Sequence, residues 1–261
     1  MKTFKLILFI LIISFSCSED AVTPNNPGSG TGSGSDGIPE PALNKLSVGK
    51  SASDLLSSSN YDQLIIEIVK VNGFELSNST ISDFTQFLSN LINKPAGISF
   101  KFSSISNPGL APYSSNELIS LEDQIRTEYN TGNKITLYIF IAEDSYTDEN
   151  VLGLAYRNTS FAIMAGRIKE LTGGIGQPNE NLVIQTVLQH EMGHLLGLVN
   201  LGSTMQANHQ DTAHGNHCND TNCLMYWSVE TGDFLTNLIG SNTPPALDSQ
   251  CKTDLKSNGG K

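Results

Sequence analysis

In the run His190-Glu191-Met192-Gly193-His194-Leu195-Leu196-Gly197, two imidazoles stand four residues apart with a carboxylate beside the first. On a helix, positions i and i+4 share a face, so His190 and His194 can grip one zinc ion while Glu191 reaches a water bound to it. That combination can hydrolyse a peptide bond: the metal acidifies water and polarises the carbonyl, and the carboxylate moves the proton. The same pattern also arises by chance as a pair of surface histidines. Gly193 and Gly197 argue against that blander reading. Each costs about 1 kcal/mol of helix propensity against alanine, so something other than helix stability places them.

A catalytic zinc keeps three protein ligands and one open position, so two histidines are not enough. In the H-E-x-x-H-x-x-G-x-x-H arrangement a glycine turns the chain out of the helix and a third histidine follows three residues later. Here that slot holds Asn200, whose amide is a poor zinc ligand. Histidines occur later, at His209, His214 and His217, the last opening the segment His217-Cys218-Asn219-Asp220-Thr221-Asn222-Cys223-Leu224-Met225-Tyr226.

This H-C-x-x-x-x-C-x-M segment resembles that of the archaemetzincins. The eight-position step from His217 to Met225, with Leu-Met-Tyr, is similar to matrix metalloproteases. The resemblance, to metzincin-clan zinc metallopeptidases, covers roughly residues 150 to 227. It implies that His217 is the third ligand and that Met225 makes the Met-turn under the zinc. It further implies that 201–217 is an insertion at the cleft and that Gly153-Leu154-Ala155 is the edge strand beside the substrate. His209 and His214 stay open as alternative third ligands, and Asp211 is a candidate partner for an imidazole N–H. Tyr226 directly follows the methionine, whereas metzincins that use a tyrosine ligand place it two residues after, so it is given no catalytic part. Trp227 either lines the substrate pocket or simply packs.

With Cys17 set aside for lipid, Cys218, Cys223 and Cys251 remain, an odd number for an oxidising compartment. Archaemetzincins build a second, structural zinc site from four cysteines. Here Asp248-Ser249-Gln250-Cys251 stands where their downstream C-x-x-C would. A Cys3Asp site for a second ion is one outcome; the favoured one is a disulfide with one thiol left over, because oxidation outside the cell competes with thiolate ligation.

The elements that must position these residues follow from hydrophobic period and breakers. Strands are expected over 62–71, 98–105, 134–142, 151–156 and 160–166, with 134–142 buried on both faces. Helices are expected over 81–93, with Ser79-Thr80 as N-cap, and over 115–129. A long helix from Pro178-Asn179 to about Leu196 carries the zinc residues. This order predicts an α/β (α+β) fold, a twisted mixed sheet with packed helices. The resemblance makes it metzincin-like, with an active-site helix, a Met-turn and a C-terminal helix.

The N-terminus reads as an export signal: Lys2 and Lys5 precede the apolar run Leu6 to Ile13, too short to span a bilayer. Ser14-Phe15-Ser16-Cys17 resembles a bacterial lipobox in which Cys17 is lipidated, although Ser14 departs from the usual aliphatic residue. An ordinary cleaved signal is the alternative. Ser18-Glu19-Asp20 is similar to the acidic tag that sends Bacteroidetes-type lipoproteins to the outer surface. Residues 1–17 are thus expected as a signal, 18–59 as a flexible Gly/Ser/Pro tether, and 60–261 as one domain. A formal charge of −11 leaves no electrostatic route to nucleic acid or anionic lipid.

Together these readings predict a monomeric zinc endopeptidase with Glu191 as general base. Its partners are a peptide or protein substrate and, through the lipid anchor alone, the outer membrane; a secreted form is the alternative location. The rival reading is a non-catalytic surface-anchored binding protein on the same scaffold. A purely structural zinc domain is disfavoured by Glu191, since a closed site needs no adjacent base.

Overall fold

The computed structural model describes residues 40–261; the expected signal, Cys17 and the segment 18–39 lie outside the described residues. In chain order the elements are α1 (Ala52–Leu56), β1 (Gln63–Val71), α2 (Asn78–Leu91), β2 (Gly97–Ile105), α3 (Ser115–Ile125) and β3 (Lys134–Ala142). They continue with β4 (Gly153–Arg157), β5 (Ser160–Met164), α4 (Ala165–Glu170), α5 (Glu180–Leu195) and α6 (Ser249–Ser257). The strands form one sheet in the order β2-β1-β3-β5-β4, parallel throughout except for β4, which pairs antiparallel with β5 at the edge. The expected mixed α/β sheet with helices packed on it is therefore present. Among the described residues no helix is long and apolar enough to cross a membrane.

Alternation along the strands divides the core between the two faces. Leu64, Ile66 and Ile68 of β1, Ile135, Leu137, Ile139 and Ile141 of β3, and Phe161 and Ile163 of β5 pack with α2 and α5. Val69, Tyr138, Phe140, Ala162 and Met164 face the other way, onto Leu118 and Leu121 of α3. With helices on both faces, β3 is buried from Ile135 to Ala142. The helix α5 is buried on nearly every side from Leu182 to Leu195, so its polar residues 189–191 and 194 are carried into the interior.

Several boundaries differ from the sequence expectation; the strand expected over 160–166, for instance, ends at Met164, where α4 begins. The N-cap of α2 is Ser77, whose hydroxyl accepts the Thr80 N–H, so Ser79 and Thr80 lie in the first turn. The helix α3 stops at Ile125, four residues early, because the Arg126 side chain turns inward to Glu122, Ser160 and the Thr136 carbonyl. Most consequentially, the folded unit begins before Asn60. Asn44 is fully buried and donates to Asn130, Thr159 and the Thr136 carbonyl, and Leu55 and Leu56 belong to the core. The serine-rich surroundings of Leu55-Leu56 hide a short helix that the tether assignment of 18–59 overran.

Candidate metal centre

The helix α5 opens on Asn179, whose side chain accepts the Leu182 N–H, and delivers His190 and His194 to one face four residues apart. Their Nε2 atoms lie 3.1 Å apart. The His217 ring joins them, its centroid 5.3 Å from that of His190 and 5.0 Å from that of His194. His190 Nδ1–H donates to the Leu224 carbonyl and His217 Nδ1–H to the His214 carbonyl, each at 2.7 Å. Those bonds fix the tautomer in which the Nε2 lone pairs face inward. His217 Nε2 is buried with no hydrogen-bond partner, as is His194 Nδ1. Burial, with His190 and His217 close by, pulls His194 down to about 4, so it is a neutral donor at physiological pH.

Met225 explains one of the two glycines. It is fully buried against α5, and a Cβ on Gly193 would stand 2.3 Å from its Sδ. The chain around it is fixed by Cys218 N–H donating to the Met225 carbonyl at 2.7 Å. Gly197 ends the helix at φ +77°, where a Cβ would meet Ser203 N at 2.5 Å. Asn200 sits just beyond at φ 67°, exposed and outside the imidazole group.

Glu191 is fully buried beneath the edge strand: a Cβ on Gly153 would lie 2.7 Å from its Oε1. Neither carboxylate oxygen has a well-formed hydrogen bond, the Ala155 backbone making only a loose approach. Burial first, and the negative charge of Glu230 second, raise its proton affinity well above that of an ordinary carboxyl; the Ala155 backbone offsets this only in part. Leu154, Ala155 and Tyr156 are half-buried along an edge on which, among the described residues, no further strand pairs.

Sequence reasoning missed Glu230. It ends the 3₁₀ turn Trp227–Glu230, and its carboxylate approaches His190, His194 and His217 Nε2 at 3.6, 3.7 and 3.5 Å. The four side chains offer donor atoms all within 4.8 Å of one another, a set that could hold a metal ion. Burial opposes ionisation of Glu230, but the three facing imidazoles outweigh it and hold the carboxyl well below its usual range.

The other two histidines are engaged elsewhere. His214 stacks on Trp227, centroids 4.2 Å apart, and pairs with Asp211 at 2.6 Å, so Asp211 does orient an imidazole, though one outside the central group. His209 is fully buried in a second cluster with Cys218, Asp248 and Cys251. Its Nε2 pairs with the buried Asp254 at 2.7 Å, which turns Nδ1 toward Cys218 Sγ at 3.4 Å and Cys251 Sγ at 3.9 Å. Cys223 Sγ lies 3.7 Å from Cys251 Sγ, and all three cysteines are free thiols. Among the described residues the expected disulfide is therefore not formed, and Cys218 and Cys251 sit instead with His209 and Asp248 as donors within 4.8 Å of one another. Hydrogen bonds from Cys218 and Cys251 lower the Cys223 thiol below its ordinary value, in the direction of the thiolate that metals bind.

No protein-family model and no curated protein sequence matches this chain. Among solved structures, it is similar to the archaemetzincin of Methanopyrus kandleri, with a TM-score of 0.52 at 18% identity over 76% of this chain and 96% of that one. At that identity the likeness establishes a shared fold: the metzincin-like architecture implied by the motif is the architecture found.

Proposed function

We propose that this chain is a zinc-dependent endopeptidase whose metal is held by His190, His194 and His217. One observation carries the reading: three buried imidazoles converge through Nε2 atoms, that of His217 without a hydrogen-bond partner, beside a buried carboxylate and next to a sheet edge. Two imidazole Nε2 atoms 3.1 Å apart, with the third ring beside them, are spaced as donors to one cation would be. The archaemetzincin fold supports the same class of chemistry.

Zinc in this set supplies Lewis-acid polarisation of the scissile carbonyl and brings the pKa of water down toward about 7. The chain's own residues do the rest. Glu191 accepts the water proton as the carbonyl is attacked and returns it to the leaving amine, a task its raised proton affinity suits. A peptide adds to β4 as a further strand, with main-chain hydrogen bonds from Leu154 to Tyr156 setting its register and half-buried side chains selecting its residues. Met225 packs against α5 at Gly193, which lies between His190 and His194 in sequence, and is given no ligating part.

A second ion is proposed at His209, Cys218, Asp248 and Cys251, in a structural role, with Cys223 close to Cys251 and Asp254 orienting the imidazole. Export and anchoring through a lipid on Cys17 complete the reading. They are supported by the sequence alone, and incorporation of labelled palmitate into wild type but not Cys17→Ala tests them.

The function is tested by Glu191→Gln, which should keep zinc at the wild-type stoichiometry while cleavage of casein and a fluorogenic peptide falls by about 10³-fold or more, the combined loss of base and acid. Wild-type turnover in that variant would remove Glu191 from the mechanism.

A further inference from the structure

The hydrolytic reading makes no use of Glu230, yet its carboxylate lies inside the imidazole set. Elsewhere in this protein a carboxylate beside a histidine closes to ordinary hydrogen-bond length: 2.7 Å for His209 with Asp254 and 2.6 Å for His214 with Asp211. Glu230 instead straddles three nitrogens without closing on any: its Oε2 lies 3.6 and 3.7 Å from His190 and His194 Nε2, and its Oε1 3.5 Å from His217 Nε2. His190 and His194 Nε2 are 3.1 Å apart. Donors held at 2.0–2.1 Å from one tetrahedral zinc stand about 3.3–3.4 Å from each other. A carboxylate that spans the three nitrogens in this way, with all four donors within 4.8 Å of one another, is placed to supply a fourth donor to a shared centre, in the corner a hydrolytic site leaves for water.

The backbone fixes it there. Leu152 N–H donates to the Glu230 carbonyl at 2.8 Å, Val151 bridges to Thr231, and Gly232 N–H donates to the Asn150 carbonyl at 3.0 Å. The carboxylate is thereby tied to the residues that lead directly into β4, the strand on which substrate would lie. Its side chain keeps 25% of its surface exposed, so it has a solvent side to swing into.

We infer that Glu230 is a fourth protein ligand of the ion held by His190, His194 and His217, so that the resting centre is closed and the carboxylate withdraws before water and substrate enter. The inference rests on the zinc reading and adds latency to it. Occupation of the fourth corner makes the ion harder to remove and less open to outside ligands.

The test uses the zinc-loaded full chain with acetohydroxamate as probe, followed by calorimetry, and a chelator competition that reads zinc affinity. Glu230→Ala and the isosteric Glu230→Gln should each bind acetohydroxamate at least about tenfold more tightly than wild type and release one zinc to chelator at least about tenfold more readily. If both variants match wild type in probe affinity and zinc retention, Glu230 is not a ligand and the inference falls. Should His190→Ala hold as much zinc as wild type, the imidazole site itself fails, an outcome distinct from a failure of Glu230 alone.

Discussion

Gly153→Ala probes the contact between the proposed substrate strand and the proposed base. The added Cβ would stand 2.4 Å from Val187 Cγ1, 2.7 Å from Glu191 Oε1 and 2.9 Å from Glu191 Cγ, where ordinary contact begins near 3.4 Å. The worst of these is short by about 1 Å, a degree of overpacking that costs about 1–3 kcal/mol. Val187 and Glu191 sit on a helix buried on nearly all sides, whereas β4 is paired along one edge alone, so the strand is the part that yields. A peptide added to β4 would then be displaced from Glu191 and the metal ligands by a large fraction of 1 Å. Misplacement on that scale costs about 10²-fold in rate. The expected result is a kcat/KM lower by about 10- to 100-fold and a Tm lower by a few degrees, with zinc content unchanged because no histidine is touched. A fluorogenic peptide assay, thermal denaturation and metal analysis of the purified variant measure all three. Wild-type kcat/KM and Tm together would refute the close packing of Gly153 on Glu191 as a requirement for activity.

Two further expectations concern stability. Cys251→Ser and His209→Ala should each lower bound zinc from two ions per chain to one and cost about 3 kcal/mol, on the order of 10 °C in Tm; a wild-type protein with a single zinc and an intact disulfide would contradict this. Asp123 is held down at about 2, below its ordinary 3.8, because Arg157 donates two hydrogen bonds to it and Lys45 pairs with it. A depressed carboxyl stabilises the fold above its unfolded value and loses that contribution as pH falls from about 4 through about 2. The side chain is 38% exposed, so the effect is about 1 kcal/mol or less. Asp123→Asn should flatten that part of the denaturation curve, and identical acid limbs in both proteins would exclude the linkage.

Elements with strong local signals were readable from the chain. The spacing of His190 and His194 needs nothing but a helix to become a metal face, and the run Lys134–Ala142 is apolar enough to announce a central strand. Features that depend on distant contacts were not readable. Glu230 has no periodic relation to the histidines; it enters the site because residues 150–152 pair with 230–232. His209 looks like a loop residue until the C-terminal helix supplies Asp254 to orient it, 45 positions away. Leu55 and Leu56 are two apolar residues among serines, too few to show a period, and their place in the core is secured by the buried polar knot around Asn44. Gly153 was marked by family likeness alone, and the physical reason for a glycine there, the close approach of α5, exists only in the folded chain.

The central claim is a zinc ion among the imidazoles of His190, His194 and His217. An anomalous-difference map at the zinc edge from crystals of the full chain tests it most directly. The account predicts a peak bonded to all three Nε2 atoms at about 2.0–2.1 Å. A map with no peak between those rings, or one in which the His217 ring turns away from the ion, would contradict it.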